Sequence, residues 1–228
     1  MTPSPPKKKL PFLFSGRKYR FTRGFTLVEL LIVVGIMILM TGLLAPAVSQ
    51  LGKSQLLSNT GNHMTEMFAR ARQNSMTWNC LTVLIIPAGA NQWNSCILYE
   101  LRPKADGSAP TSNDWQAASK WESFPVGVTI DTTTFVDQSA SASLPAALLT
   151  IKRGNDTISE YRFVTFMPRG TLYPKTLPTG GNPSLSLIQG SRSGQNVIYS
   201  AAKNNGTAAN VYKITVLTAT GIPKIDRS

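Results

Sequence analysis

The chain has 228 residues, of which 42% are apolar and 15% charged, with a formal net charge of +12, two cysteines and a single histidine. With His63 alone, a histidine-based metal cluster is excluded, and a Ser-His-Asp triad would have to draw on a residue of a predicted helix. A phosphate-binding glycine loop, a C-x-x-C pair and an EF-hand loop are all missing, and Asp106, Asp114, Asp131 and Asp137 are scattered as solvated loop acids rather than calcium ligands. The chain therefore reads as a non-enzymatic protein that needs no cofactor or metal.

Residues 1–24 form a basic segment with Lys7, Lys8, Lys9, Arg17, Lys18, Arg20 and Arg23 and no acid. It supplies seven of the twelve net positive charges, so residues 25–228 are only mildly basic. Overall basicity is thus a poor argument for nucleic-acid binding.

From Phe25 to Ala45 the sequence is apolar except for Glu29. That length suits one helical crossing of a ~30 Å hydrocarbon core. Lys and Arg precede the run and few follow it, which puts the amino terminus inside and the bulk of the chain outside. A secretory signal with a cleavage site at Ala45-Pro46-Ala47, or a plain anchor, would share these properties. Neither explains Glu29, because a carboxylate within an apolar span costs about 2.5 kcal/mol or more and marks a function or a partner.

The order Gly24-Phe25-Thr26-Leu27-Val28-Glu29, followed at once by the apolar run, resembles the leader junction of type IV prepilins. The resemblance implies cleavage after Gly24 by a prepilin peptidase and methylation of Phe25. It also makes Glu29 the fifth mature residue, where a neighbouring subunit's amino group can offset the cost of burying its carboxylate and fix register in a filament. Pilin stems commonly carry a proline twenty-second in the mature chain, the place of Pro46, and a proline removes a backbone donor and bends or breaks a helix. Residues 25–47 are expected to be the transmembrane helix and filament stem.

Leu57, Met64, Phe68, Ala71 and Trp78 recur as one stripe of a helix, with polar residues between them, so residues 48–78 are expected to form an amphipathic helix packed on a sheet. Gly61 weakens that helix locally. Beyond it the pattern turns to short β runs at 81–86, 96–101, 127–130, 148–151, 161–166, 185–188, 196–200 and 211–217, divided by Gly, Pro, Asn and Asp. Residues 103–120, 137–146, 174–184 and 201–209 read as loops. The fold class is α+β, a long amino-terminal helix on a largely antiparallel exported domain over residues 79–228. If residues 81–86 and 96–101 form a hairpin, Cys96 faces Ile86 and Cys80 lies about six residues further along, which at roughly 3.3 Å per residue is too far for a bond. An oxidising exterior would permit a Cys80–Cys96 bridge, and two buried free thiols are the other reading.

Three segments of this half resemble the GspH and FimT branch of pseudopilins and minor pilins: Phe124-Pro125-Val126-Gly127-Val128, Phe166-Met167-Pro168-Arg169-Gly170, and Ile214 to Gly221. The combined resemblance implies a minor pilin or pseudopilin of the bacterial inner membrane, assembled with other pilins into a type IV pilus or type II secretion pseudopilus. Some FimT-like proteins capture DNA through a Gly-Arg-x-Arg motif near the carboxyl terminus. Here the corresponding stretch runs from Gly221 to Arg227, with Ile222 and Lys224 at the two arginine positions and Asp226 beside Arg227. Lys224 and Arg227 are the candidate contacts of that alternative, which the departure weakens because phosphate binding needs clustered cations.

Overall fold

The computed structural model describes residues 25–89, 94–108, 110–111, 114–136, 151–158, 160–173, 181–194, 196–200 and 208–227. The basic segment 1–24, including Gly24, and the expected loop 137–146 lie outside them, as do the side chains of residues 43–51. Two compact units divide the chain, Met1–Pro46 and Ala47–Ser228.

In the first unit the chain enters helix α1, Leu27–Thr77, which continues without interruption through Pro46. A helix break at Pro46 is therefore not observed. Leucine, isoleucine, valine and methionine dominate its first turns, and thirteen large apolar side chains from Phe25 to Met40 are exposed. No helix among the described residues is long and apolar enough to cross a membrane. The described side chains of the apolar run end at Gly42, so the expected span 25–47 extends past them.

In the second unit the rest of α1 packs on two antiparallel sheets. Strands β1 (Leu81–Pro87) and β2 (Ser95–Leu101) form a hairpin in register Ile85 with Ile97. Strands β3 (Trp115–Ala117) and β4 (Glu122–Ser123) pair with β2, and β8 (Tyr161–Phe166) pairs with β1. The second sheet joins β5 (Val128–Val136), β9 (Ser184–Ser193), β10 (Asn196–Tyr199), β11 (Val211–Val216) and β12 (Pro223–Arg227). A separate two-stranded ribbon consists of β6 (Ile151–Arg153) and β7 (Asp156–Ile158).

Side-chain alternation explains why β1 and β2 are almost continuously apolar. Leu84, Ile86, Cys96, Leu98, Val164 and Phe166 share one core with Leu57, Met64, Phe68 and Ala71 of α1. The opposite side chains, Val83, Ile85, Ile97, Leu101 and Phe163, share a second core with Ile151 and Ile158 of the β6–β7 ribbon. A strand covered on both faces loses the apolar-polar alternation of a half-buried one. The second sheet sends Val128, Ile130, Leu185, Leu187, Tyr212, Ile214 and Val216 into the first core.

The α+β expectation holds, with local corrections. Trp78 is not part of the buried stripe: the helix ends at Thr77 and Trp78 is 50% exposed, while Met67 and Ser75 are buried instead. The end is a Schellman-type cap in which Asn79 takes a left-handed φ of 47° and Cys80 N–H donates to the Ser75 carbonyl at 3.1 Å. Gly61 is required, because a Cβ there would stand 2.4 Å from the Tyr212 ring. The aromatic ring lies so close to the helix backbone that only a residue without a side chain fits. Strand β3 falls inside the expected loop 103–120, and β12 extends the sheet beyond the last expected strand.

Candidate functional site

At the start of α1 the sequence Thr26-Leu27-Val28-Glu29 closes a capping box. Glu29 N–H donates to Thr26 Oγ1 at 3.2 Å, and the Glu29 carboxylate accepts from Thr26 N at 3.0 Å and from Thr26 Oγ1 at 3.1 Å. These bonds satisfy backbone donors that the first helical turn leaves open, and a carboxylate there complements the positive end of the helix dipole. The spacing Thr-x-x-Glu was visible in the sequence, yet Glu29 read there only as a charge needing an outside partner. The chain supplies part of that partnership itself. Phe25 stands immediately before the cap, 81% exposed, and Gly24 lies outside the described residues.

Lys224 and Arg227 both lie exposed on β12, and three positions apart they point to opposite faces of the strand. Lys224 Nζ lies 3.5 Å from Asp226 Oδ1, and the Arg227 guanidinium stacks 5.1 Å from the centre of the Tyr212 ring. The two cations therefore do not form a cluster.

Cys80 and Cys96 are buried free thiols, so no bridge is made. The hairpin register, which pairs Ile85 with Ile97, carries Cys96 to the level of Ile86, as read from the sequence. Burial pushes the Cys96 thiol up to about 12, with Glu122 nearby acting in the same sense. Burial also raises Cys80. Low thiolate content makes both poor nucleophiles. Among the described residues no three His, Cys, Asp or Glu side chains are grouped to hold a metal. His63 faces Glu122 at 3.6 Å on the domain surface.

Two of the motif turns meet. In Phe166–Gly170, Gly170 N–H donates to the Met167 carbonyl at 2.7 Å; in the segment ending at Gly221, Gly221 N–H donates to the Leu217 carbonyl at 2.7 Å. A Cβ on Gly221 would lie 2.0 Å from the Gly170 carbonyl oxygen, and one on Gly170 would lie 2.7 Å from Met76 Sδ. Arg72 of α1 donates through Nε to the Thr220 carbonyl at 2.8 Å, and Leu172 N–H donates to the Thr218 carbonyl at 3.1 Å. Arg72 thus ties the helix to the turn that ends at Gly221. In the sequence nothing distinguishes Arg72 from Arg70.

A polar cluster closes the other side of the helix end. Buried Glu100 accepts from Asn74 Nδ2 at 2.6 Å and from Arg102 Nε at 2.7 Å, and the Arg102 guanidinium lies 4.2 Å from the centre of the Trp78 ring. The carboxylate is almost wholly removed from water, so both donors are needed to hold its charge.

Residues 19–45 match the family model described as the prokaryotic N-terminal methylation motif. No match is found among curated proteins. Among solved structures the chain is similar to the type IV minor pilin FimU of Pseudomonas aeruginosa strain PAO1, with 14% identity, a TM-score of 0.41, and 76% of this chain and 90% of that one covered. It is also similar to the minor pseudopilin EpsH of the type 2 secretion system of Vibrio cholerae in two structures. These have 8% identity each, TM-scores of 0.40 and 0.39, and cover 74% and 75% of this chain and 94% and 96% of those chains.

Proposed function

We propose that this chain is a minor pilin or pseudopilin that primes, caps or adapts a type IV pilus or type II secretion pseudopilus. Its basic leader is removed after Gly24 by a prepilin peptidase, and Phe25 becomes the methylated amino terminus. Before assembly, residues 25–47 hold it in the bacterial inner membrane as a single span, with Pro46 bending the stem and residues 48–228 exported. The observation that carries this reading is the match of residues 19–45 to the methylation motif, which brackets the Gly24-Phe25 junction and the start of the exposed apolar helix. The exposed apolar side chains of that helix call for cover, which other pilin stems or lipid supply.

Glu29 then acts in two settings. In the isolated chain Thr26 bonds its carboxylate. Among packed stems, the amino group of a neighbour's Phe25 adds the compensating charge that a desolvated carboxylate requires. The assay is incorporation into sheared filaments. The wild-type chain should co-purify with the major subunit, and Glu29→Ala should reduce its recovery at least about tenfold while total membrane content is unchanged, the loss expected of one charged hydrogen bond of ~1.5 kcal/mol. Equal recovery of the two would remove the assembly role of Glu29.

DNA capture receives no specific support. One of its two candidate cations is paired with an acid, and they lie on opposite strand faces.

A further inference from the structure

Beside the helix, a groove of about 710 Å³ opens between α1 and the β11–β12 ribbon. Leu57, Val211 and Tyr212 make its apolar walls and Ser54, Gln55, Ser58 and Asn210 add polar groups; among the described residues Arg227 is the charged residue that lines it, and no acid does. The volume falls in the range of sites that accept a small ligand or a few residues of an extended chain.

The arginine is positioned in advance. The Tyr212 ring is fixed against the backbone at Gly61, and its hydroxyl donates to Asn62 Oδ1 at 2.6 Å. On that fixed ring the Arg227 guanidinium stacks at 5.1 Å, and among the described residues no carboxylate pairs with it. A stacked guanidinium keeps its planar fork of N–H donors available at its edge, which is the geometry that grips a carboxylate with two parallel bonds. Ordering before binding lowers the entropy cost of that grip.

We propose that this groove binds an extended apolar peptide segment of a partner protein through one carboxylate held by Arg227. Charge complementarity sets the occupant: a single fork of donors above apolar walls suits one acid flanked by apolar side chains. A nucleic acid would need a row of cations, and the next cation on β12, Lys224, is engaged with Asp226. The inference goes beyond the filament reading and does not depend on it, because binding by the intact chain requires neither cleavage nor assembly.

The test is fluorescence polarisation with the full-length chain in detergent and a labelled hexapeptide of valine and leucine carrying one central glutamate. The glutamate peptide should bind at least about tenfold more tightly than its glutamine counterpart, the difference expected of one charge-assisted bidentate contact. Arg227→Gln should abolish that difference, and Ser58→Trp, which fills the groove from the helix side, should abolish binding of both peptides. Equal affinity for the two peptides, or binding unchanged in both variants, would overturn the proposal. So would preferential binding to phosphatidylglycerol vesicles or to a DNA duplex that Arg227→Gln abolishes, since the groove would then serve a phosphate ligand.

Discussion

Replacing Gly221 with alanine should destabilise the second unit far more than its left-handed backbone alone explains. At a φ of +66° a side chain costs about 1–2 kcal/mol. Gly107, with a φ of +78° and nothing within 4 Å of an added Cβ, carries that conformational cost by itself. At Gly221 the added Cβ would stand 2.0 Å from the Gly170 carbonyl oxygen, far inside van der Waals contact, and the obstacle is backbone that cannot rotate away. Forcing such contacts apart adds ~1–3 kcal/mol and strains the Arg72 bond to Thr220. Expected losses are therefore about 2–5 kcal/mol for Gly221→Ala and about 1–2 kcal/mol for Gly107→Ala. Equilibrium urea unfolding of the full-length chain in detergent, followed by tryptophan fluorescence, separates them. Losses equal within about 0.5 kcal/mol would refute the close approach of the two turns.

Gly61→Ala should also destabilise, even though alanine normally favours a helix interior by ~1 kcal/mol, because its Cβ meets the Tyr212 ring; a higher urea midpoint would contradict this packing. Glu100→Ala should cost about 2–4 kcal/mol by leaving Asn74 and Arg102 without their shared acceptor, and should alter Trp78 emission as its stacked arginine loosens. Cys96, raised in the native state to about 12 against an unfolded value near 8.5, gives stability that is complete below about pH 8.5. As pH rises towards 12 the unfolded thiol ionises first and that contribution is lost, by up to about 1.4 kcal/mol per pH unit. The stability of Cys96→Ala should fall less steeply than wild type over this window, and parallel curves would contradict the burial of a neutral thiol.

The sequence showed most of the helix and the long strands because their apolar spacing reflects burial directly. LTVLII and YRFVTF stand nearly residue for residue as β1 and β8. Short strands escaped notice for a physical reason. β3, β4, β7 and β12 are two to five residues long and largely polar, so their pairing is decided by neighbours brought in from elsewhere in the chain. Trp78 entered the helical stripe because it sits seven residues after Ala71, whereas the chain turns at Asn79 and the indole stacks on Arg102. At the junction, Glu29 is legible as an anomaly and the Thr26-x-x-Glu29 spacing as a capping signature, but the bonds that join the two are a local contact that an apolar count does not register. The meeting of Gly170 with Gly221 required the fold: fifty-one positions apart, their turns revealed only family likeness and not proximity.

Mass spectrometry of the mature amino terminus, with the chain isolated from a host that carries a prepilin peptidase, decides whether the Gly24-Phe25 bond is cut. The expected product begins at Phe25 with a methylated α-amino group. A chain beginning at Met1, or one cut to begin at Val48, would contradict it.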